Sequence, residues 1–457
     1  MLGNMLLYID PGTGGMLFTI LIGLMGGVIY FFSTLFVKLK YSVGGRNKGK
    51  QDTKKIPLVF FSDHKRYWNI YEPILDELEK RGVEATFLTM SEDDPFFTKE
   101  YKHITGEFIG TGNKAFSRLG LLNAGIVFSS TPGLDVLQWK RSRKVDYYIH
   151  IPHASSDITL YRMFGIDYFD AILLSGDYQI EQIRELERLR NLPAKELELV
   201  GIPYMDTMKE RLDSAENSGK LSMDATGSAE FISGADRPVA TAGEADTKKR
   251  RTILVAPSWG ESGLLKKYGE KLIDELLKTG YRIIIRPHPQ SFTAEKDLMD
   301  RLMKQYENTD LEWNRDNDNF EVLRSADLMI SDFSGVIFDF SLVFDKPFLY
   351  AESHMDKSPY DCAWIEKELW VYDVLPRIGT KLREEDFGDI KRVIDECIDN
   401  PKGKENRDQA RRETWAYIGH GREHVVDYIL RKQRELTNAS GNTTGDLPGT
   451  VLPEGAS

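Results

Sequence analysis

Cysteine is nearly absent from this 457-residue chain, which has only Cys362 and Cys397. Two cysteines exclude a disulfide framework and a cysteine-based zinc site, and they fit a reducing, cytosolic setting. Basic charge is also in deficit. Sixty Lys and Arg stand against 71 Asp and Glu, a net charge of −11, which argues against a general nucleic-acid binder. No G-x-G-x-x-G and no P-loop pattern stands where a strand meets a helix, so NAD and ATP chemistry are disfavoured. No His/Asp/Glu cluster has metal-ligand spacing, and no cofactor is implied. Short-period repeats are missing. What remains is an ordinary globular composition, 41% hydrophobic and 29% charged, with length for two or three domains.

Charge is missing in one place for long enough to matter. From Met16 to Val37 the chain runs 22 residues without a charged side chain. About 20 apolar residues span a bilayer as a helix, and a cleaved signal peptide would have a shorter apolar region after basic residues. Here the basic residues follow: Lys38, Lys40, Arg46, Lys48, Lys50, Lys54 and Lys55. The positive-inside rule then puts the remainder in the cytoplasm, behind a single-pass anchor in the cell membrane. Gly23 and Gly27 form a GxxxG pair, a weak helix-packing signal. Asp10-Pro11-Gly12 reads as a turn with no assigned function.

The expected layout is an N-terminal segment (1–15), a transmembrane helix (16–37), a basic linker (38–55), an α/β domain (56–211), a disordered linker (212–249), a second α/β domain with closing helices (250–436) and a disordered tail (437–457). Apolar runs at 56–63, 83–90, 124–131 and 145–153 alternate with helical spacing, and the alternation restarts at "RTILVAPSWGES". This predicts two doubly wound, Rossmann-like parallel sheets facing a cleft, with ligands at the carboxyl ends of the strands. Helices are expected near 383–399 and from about 405 to 434.

Three strand-end segments of the second domain carry candidate chemistry. "IIIRPHPQSF" holds Arg286 and His288 in extended backbone, each followed by a proline, with His288 between two of them. "LMISDFSGVIFDF" places Asp332, Ser334 and Gly335 at a strand-to-helix turn, where free N–H groups and a hydroxyl meet anions. "VAPSWGES" adds Ser258 and Gly260. Together they outline a diphosphate cradle. Each also has a plain structural reading, as a cap, a corner or a turn. In the first domain, "IHIPHASSD" sets His150 and His153 at a strand end, candidates for a general base. Asp206 in "GIPYMD" reads as a helix cap, and "SEDDPFF" as a solvated loop.

The segments "VAPSWGES", "RPHPQ", "SDFSGVIFDF" with "KPFLY", and "GIPYMD" resemble the CDP-glycerol glycerophosphotransferases of teichoic-acid-type polymer synthesis, over about Lys55 to Arg431. The resemblance implies a GT-B architecture. It also implies transfer of glycerol phosphate, or a similar polyol phosphate, from a CDP-alcohol to a membrane-linked acceptor, with release of CMP. His288, Arg286, Asp332, Ser334, Gly335, Ser258 and Gly260 would then hold the donor, and His153 or His150 would be the base. The family's histidine sits in Trp-His-Gly-Thr with a lysine after it; this chain has "YYIHIPHASSD" there. That departure keeps a non-catalytic membrane-anchored binding protein open as an alternative, and a GT-B sugar transferase or epimerase using a UDP-sugar in the same cradle is the other.

Overall fold

The computed structural model describes residues 55–226, 250–351 and 355–442, together with Met25 and Val28. The helix expected over 16–37 therefore lies outside the described residues except at those two positions, both helical and exposed. The Asp10-Pro11-Gly12 segment lies outside them as well. Among the described residues no helix is long and apolar enough to cross a membrane.

Two all-parallel sheets form the frame. The first has seven strands: β1 (Ile56–Ser62), β2 (Ala85–Thr89), β3 (Ile104–Phe108), β4 (Asn123–Ser129), β5 (Lys144–His150), β6 (Ala171–Leu174) and β7 (Glu196–Leu199). Their order is β3-β2-β1-β4-β5-β6-β7. The second has six: β8 (Thr252–Val255), β9 (Arg282–Ile285), β10 (Leu311–Trp313), β11 (Leu328–Ser331), β12 (Phe348–Ala351) and β13 (Thr380–Leu382), ordered β10-β9-β8-β11-β12-β13. In each sheet the chain winds outward from the first strand, then reverses, as the doubly wound reading expects. Central strands such as "TILV" are buried along their whole length, because helices cover both faces.

The edge strands β3, β10 and β13 went unread in the sequence. They are short, and β3 is largely exposed, so none carries a long apolar run. Three helical boundaries also differ from expectation. The Pro203–Thr226 helix continues through 212–226, so that stretch is not a structureless linker. Leu212 packs against the core and Arg211 pairs with Asp318 at 2.7 Å, which holds the helix past the compositional change. The C-terminal helix is two helices, Lys404–Thr414 and Gly421–Asn442, broken where Tyr417 and Gly419 take positive φ. The second continues to Asn442, into the expected tail.

The two halves share one hydrophobic core. Phe60 and Phe128 of the first sheet, Leu254 and Phe338 of the second half, and Val425 and Tyr428 of the last helix belong to it. The chain reaches the second domain and then crosses back, so Gly421–Asn442 packs on the Trp68–Lys80 helix of the first. Gly201 makes this crossing possible. Its φ is +84°, and a Cβ there would lie 2.0 Å from the Ala416 carbonyl. Asp206 caps a helix, but not its own: its carboxylate accepts from Trp415 Nε1 (2.8 Å) and from the N–H groups of Gly419 (2.7 Å) and Gly421 (2.9 Å). Further polar ties cross the seam, including Asp157 with the N–H groups of Trp370 and Val371, and buried Arg190 with Asp361 at 2.5 Å.

Candidate functional site

Every candidate segment sits at the carboxyl end of a strand. Arg66 follows β1, His150 ends β5 with His153 beyond it, Ser258 and Gly260 follow β8, Arg286 and His288 follow β9, and Asp332 to Gly335 follow β11. The loops after β8, β9 and β11 flank the point where the strand order reverses, where an open α/β sheet leaves a crevice.

On the second-domain side, one buried carboxylate organises two loops. Asp332 accepts from the N–H groups of Ser258 (2.9 Å), Leu264 (3.0 Å) and Ser334 (3.1 Å). It is 1% exposed. The reading of Asp332 as a donor ligand is therefore corrected: its oxygens hold the loops in register and do not face the cleft. Gly260 has φ +92°, open space where a Cβ would be, and an N–H bonded to Glu295 at 3.2 Å. Ser258, Ser334 and Gly335 are half-buried at the loop tips. A Cβ on Gly335 would lie 3.1 Å from the Ala154 side chain, so this turn meets the histidine segment of the first domain directly.

The proline-flanked histidine has a defined tautomer. The Gln290 N–H donates to His288 Nδ1 at 3.1 Å. Nδ1 must then carry the lone pair, which leaves Nε2–H as a donor. Burial, then the charge of Arg66, then His153 and Arg286 push this imidazole down to about 4. It is neutral near pH 7, and still a donor. Arg286 donates to Asn314 and is half-buried, with its pKa lowered by burial.

On the first-domain side the two histidines separate. His150 is fully buried against Phe169, with ring centroids 4.8 Å apart. Its Nδ1 has no partner of hydrogen-bond geometry; burial and then His153 push the ring down to about 3, and the nearby Ser129 carbonyl offsets part of this. Reaching an acceptor is ruled out for it by that burial. His153 is half-exposed and stands on the His288 side of the cleft, pushed down to about 4 by burial and by Arg66. The Tyr161 hydroxyl links them, 3.2 Å from His150 Nε2 and 3.1 Å from His153 Nδ1.

Sequence reasoning missed Tyr161 and Arg66. Arg66 lies in a short turn whose N–H is held by His64 Nδ1 at 3.1 Å, and its Nη1 donates to Gln290 across the seam at 3.2 Å. A basic residue just after the central strand β1 was the available signal. A separate cavity of about 670 Å³ is lined by Tyr178, Trp370, Arg377 and neighbouring charged residues; it contains none of the candidate residues. Among the described residues no group of His, Cys, Asp and Glu could hold a metal ion, and both cysteines are buried and unpaired.

Residues 237–431 match the family described as CDP-glycerol:poly(glycerophosphate) glycerophosphotransferase. The resemblance read from the motifs is thus borne out over residues 237–431, the stretch that matches that transferase family. The chain is similar in structure to the wall teichoic acid polymerase TagF, with a TM-score of 0.53 and 15% identity over 90% of this chain and 99% of that one. A UDP-GlcNAc 2-epimerase from Neisseria meningitidis (TM-score 0.48, 11% identity, 82% and 100% covered) and a glycosyltransferase from Rickettsia africae (TM-score 0.46, 9% identity, 84% and 99% covered) are more distant. At these identities the structural likeness speaks for the fold, two Rossmann-like domains of GT-B type. No curated protein matches the chain.

Proposed function

We propose that this chain, whose second domain matches the glycerophosphotransferase family, transfers glycerol phosphate or a similar polyol phosphate from a CDP-alcohol to a hydroxyl of a membrane-linked polymer precursor. The observation that carries the donor side is the tautomer of His288. A neutral imidazole with Nε2–H toward the cleft gives a hydrogen bond to a phosphate oxygen without needing protonation. Beside it stand Arg286, the hydroxyl of Ser334 and the half-buried backbone at Gly335, a set suited to a diphosphate.

In this reading the acceptor oxygen attacks the phosphorus bearing the glycerol. Its proton passes to Nε2 of His153, which is neutral near pH 7 because its pKa is pushed down to about 4. The bond from that phosphorus to the bridging oxygen breaks, and CMP leaves with the electron pair. His288 and Arg286 stabilise the charge that builds on the departing phosphate. His153 can accept at Nε2 only if Nδ1 carries the proton. This requires the Tyr161 hydroxyl to accept from His153 and to donate to His150.

The acceptor class and the anchor belong to the same proposal. An uncharged run of 22 residues followed by seven basic residues supports a single-pass anchor in the cell membrane with the catalytic part in the cytoplasm. Recovery of the full chain in the soluble fraction after high-salt lysis would remove that part. A thermal-shift screen tests the donor. CDP-glycerol or CDP-ribitol should raise the melting temperature, and UDP-sugars should not. The reverse ranking would assign the cleft to sugar transfer or epimerisation.

A further inference from the structure

Arg66 is the least explained cation in the cleft. Its neighbour Lys65 points away and pairs with Asp93. Arg66 instead turns to the seam, where its guanidinium lies 5.0 Å from the Tyr67 ring centroid. That ring lies 5.2 Å from the His153 ring. On the other side Nη1 reaches Gln290, whose N–H holds His288. Arg66 is thus bracketed by the histidine loops of both domains. Its Nε is buried without a partner. Among the described residues no carboxylate pairs with Arg66; its side chain donates to the neutral Gln290 and to the neutral Tyr67 hydroxyl.

A half-buried guanidinium without a counter-charge is unfavourable unless an anion arrives. Its charge is felt at both imidazoles, lowering His153 and His288. Those rings stand where, on the reading above, the acceptor proton departs and the leaving phosphate is held. The group lying between them is the phosphoryl group in transit. Arginine suits it, since a planar fork of donors binds two phosphate oxygens at once and never loses its charge.

We infer that Arg66 binds the oxygens of the transferred phosphoryl group, as a catalytic residue contributed by the first domain to a donor otherwise held by the second. The inference rests on the proposed reaction. It distinguishes the two phosphates of the donor: Arg66 serves the one bearing the glycerol, and the CMP phosphate stays with His288 and Arg286.

The test compares wild type, Arg66→Ala, Arg66→Lys and, as a control, Lys65→Ala. Calorimetry measures affinity for CDP-glycerol and for CMP, and CMP release measures turnover. Arg66→Ala should lower turnover by about 100-fold, the scale for one lost transition-state donor. It should weaken CDP-glycerol roughly tenfold while leaving CMP within about twofold, because CMP lacks the group that Arg66 holds. Arg66→Lys should fall between, keeping charge but losing the fork, and it serves as the readout if the alanine variant does not fold. Lys65→Ala should match wild type. Equal loss of CMP and CDP-glycerol affinity would make Arg66 merely structural and overturn the assignment. So would wild-type turnover in both Arg66 variants. A wild type that neither binds nor turns over CDP-glycerol would instead overturn the reaction itself.

Discussion

The two sheets follow the same strand order from their first strand outward, yet their carboxyl edges are built differently. The second domain's edge is a backbone construction. Asp332, buried and accepting three N–H groups, fixes the loops after β8 and β11, and prolines fix the loop after β9. The first domain's edge is a side-chain construction, a file of His150, Tyr161 and His153 with Arg66 beside it. A backbone-built edge presents the same donors through neutral pH, where His288 is neutral. A side-chain file depends on where its protons lie. The first suits holding a constant ligand such as a nucleotide diphosphate, and the second suits moving a proton.

Substitutions can break this contrast. His153→Ala should have the largest effect, lowering kcat by about 10²–10⁴-fold as expected for a lost general base, with CMP affinity unchanged by calorimetry. His288→Ala and Ser334→Ala should each lower CDP-glycerol turnover by at least roughly tenfold, and they should weaken CMP binding where His153→Ala does not. If all three variants affected CMP binding alike, the division between edges would be lost. Tyr161→Phe should lower kcat by about fivefold, the scale of one net hydrogen bond of about 1 kcal/mol, with donor affinity intact.

The pH profile sharpens the same point. A base is active when unprotonated, so kcat/KM should be flat through neutrality and fall only as pH drops toward about 4, the value to which His153 is pushed. An acid limb near 6.5 would show an imidazole free of the burial and of Arg66. The smallest effect on activity belongs to the seam far from the cleft. Asp206→Ala removes acceptors from Trp415, Gly419 and Gly421. It should lower stability in denaturant melts by about 2 kcal/mol, with turnover at permissive temperature within about twofold.

The same contrast explains what was legible in the sequence. Central strands announce themselves, because both faces are buried and the run is apolar throughout, as in "TILV" and "RIII". The second-domain edge was legible too, since a backbone construction needs prolines, glycines and small residues at fixed offsets from a strand. Asp332 shows the limit: a carboxylate in such a turn reads equally as a ligand or as a clasp, and only its burial decides. The first-domain edge was less legible because its partners come from different loops. Arg66, Tyr161 and His153 share no motif and meet only after folding. His150 and His153 look equivalent, three residues apart across Ile151-Pro152, yet one faces Phe169 and the other faces the cleft. The C-terminal crossing was invisible for the same reason, since Gly201 records an approach made by Ala416.

Mass-spectrometric detection of CMP formed from CDP-glycerol, with a membrane extract as acceptor, tests the central claim most directly. Wild type should release CMP, and His288→Ala should release at least roughly tenfold less under the same conditions. Release of UDP from a UDP-sugar with none from any CDP-alcohol, or undiminished CMP release by His288→Ala, would contradict it.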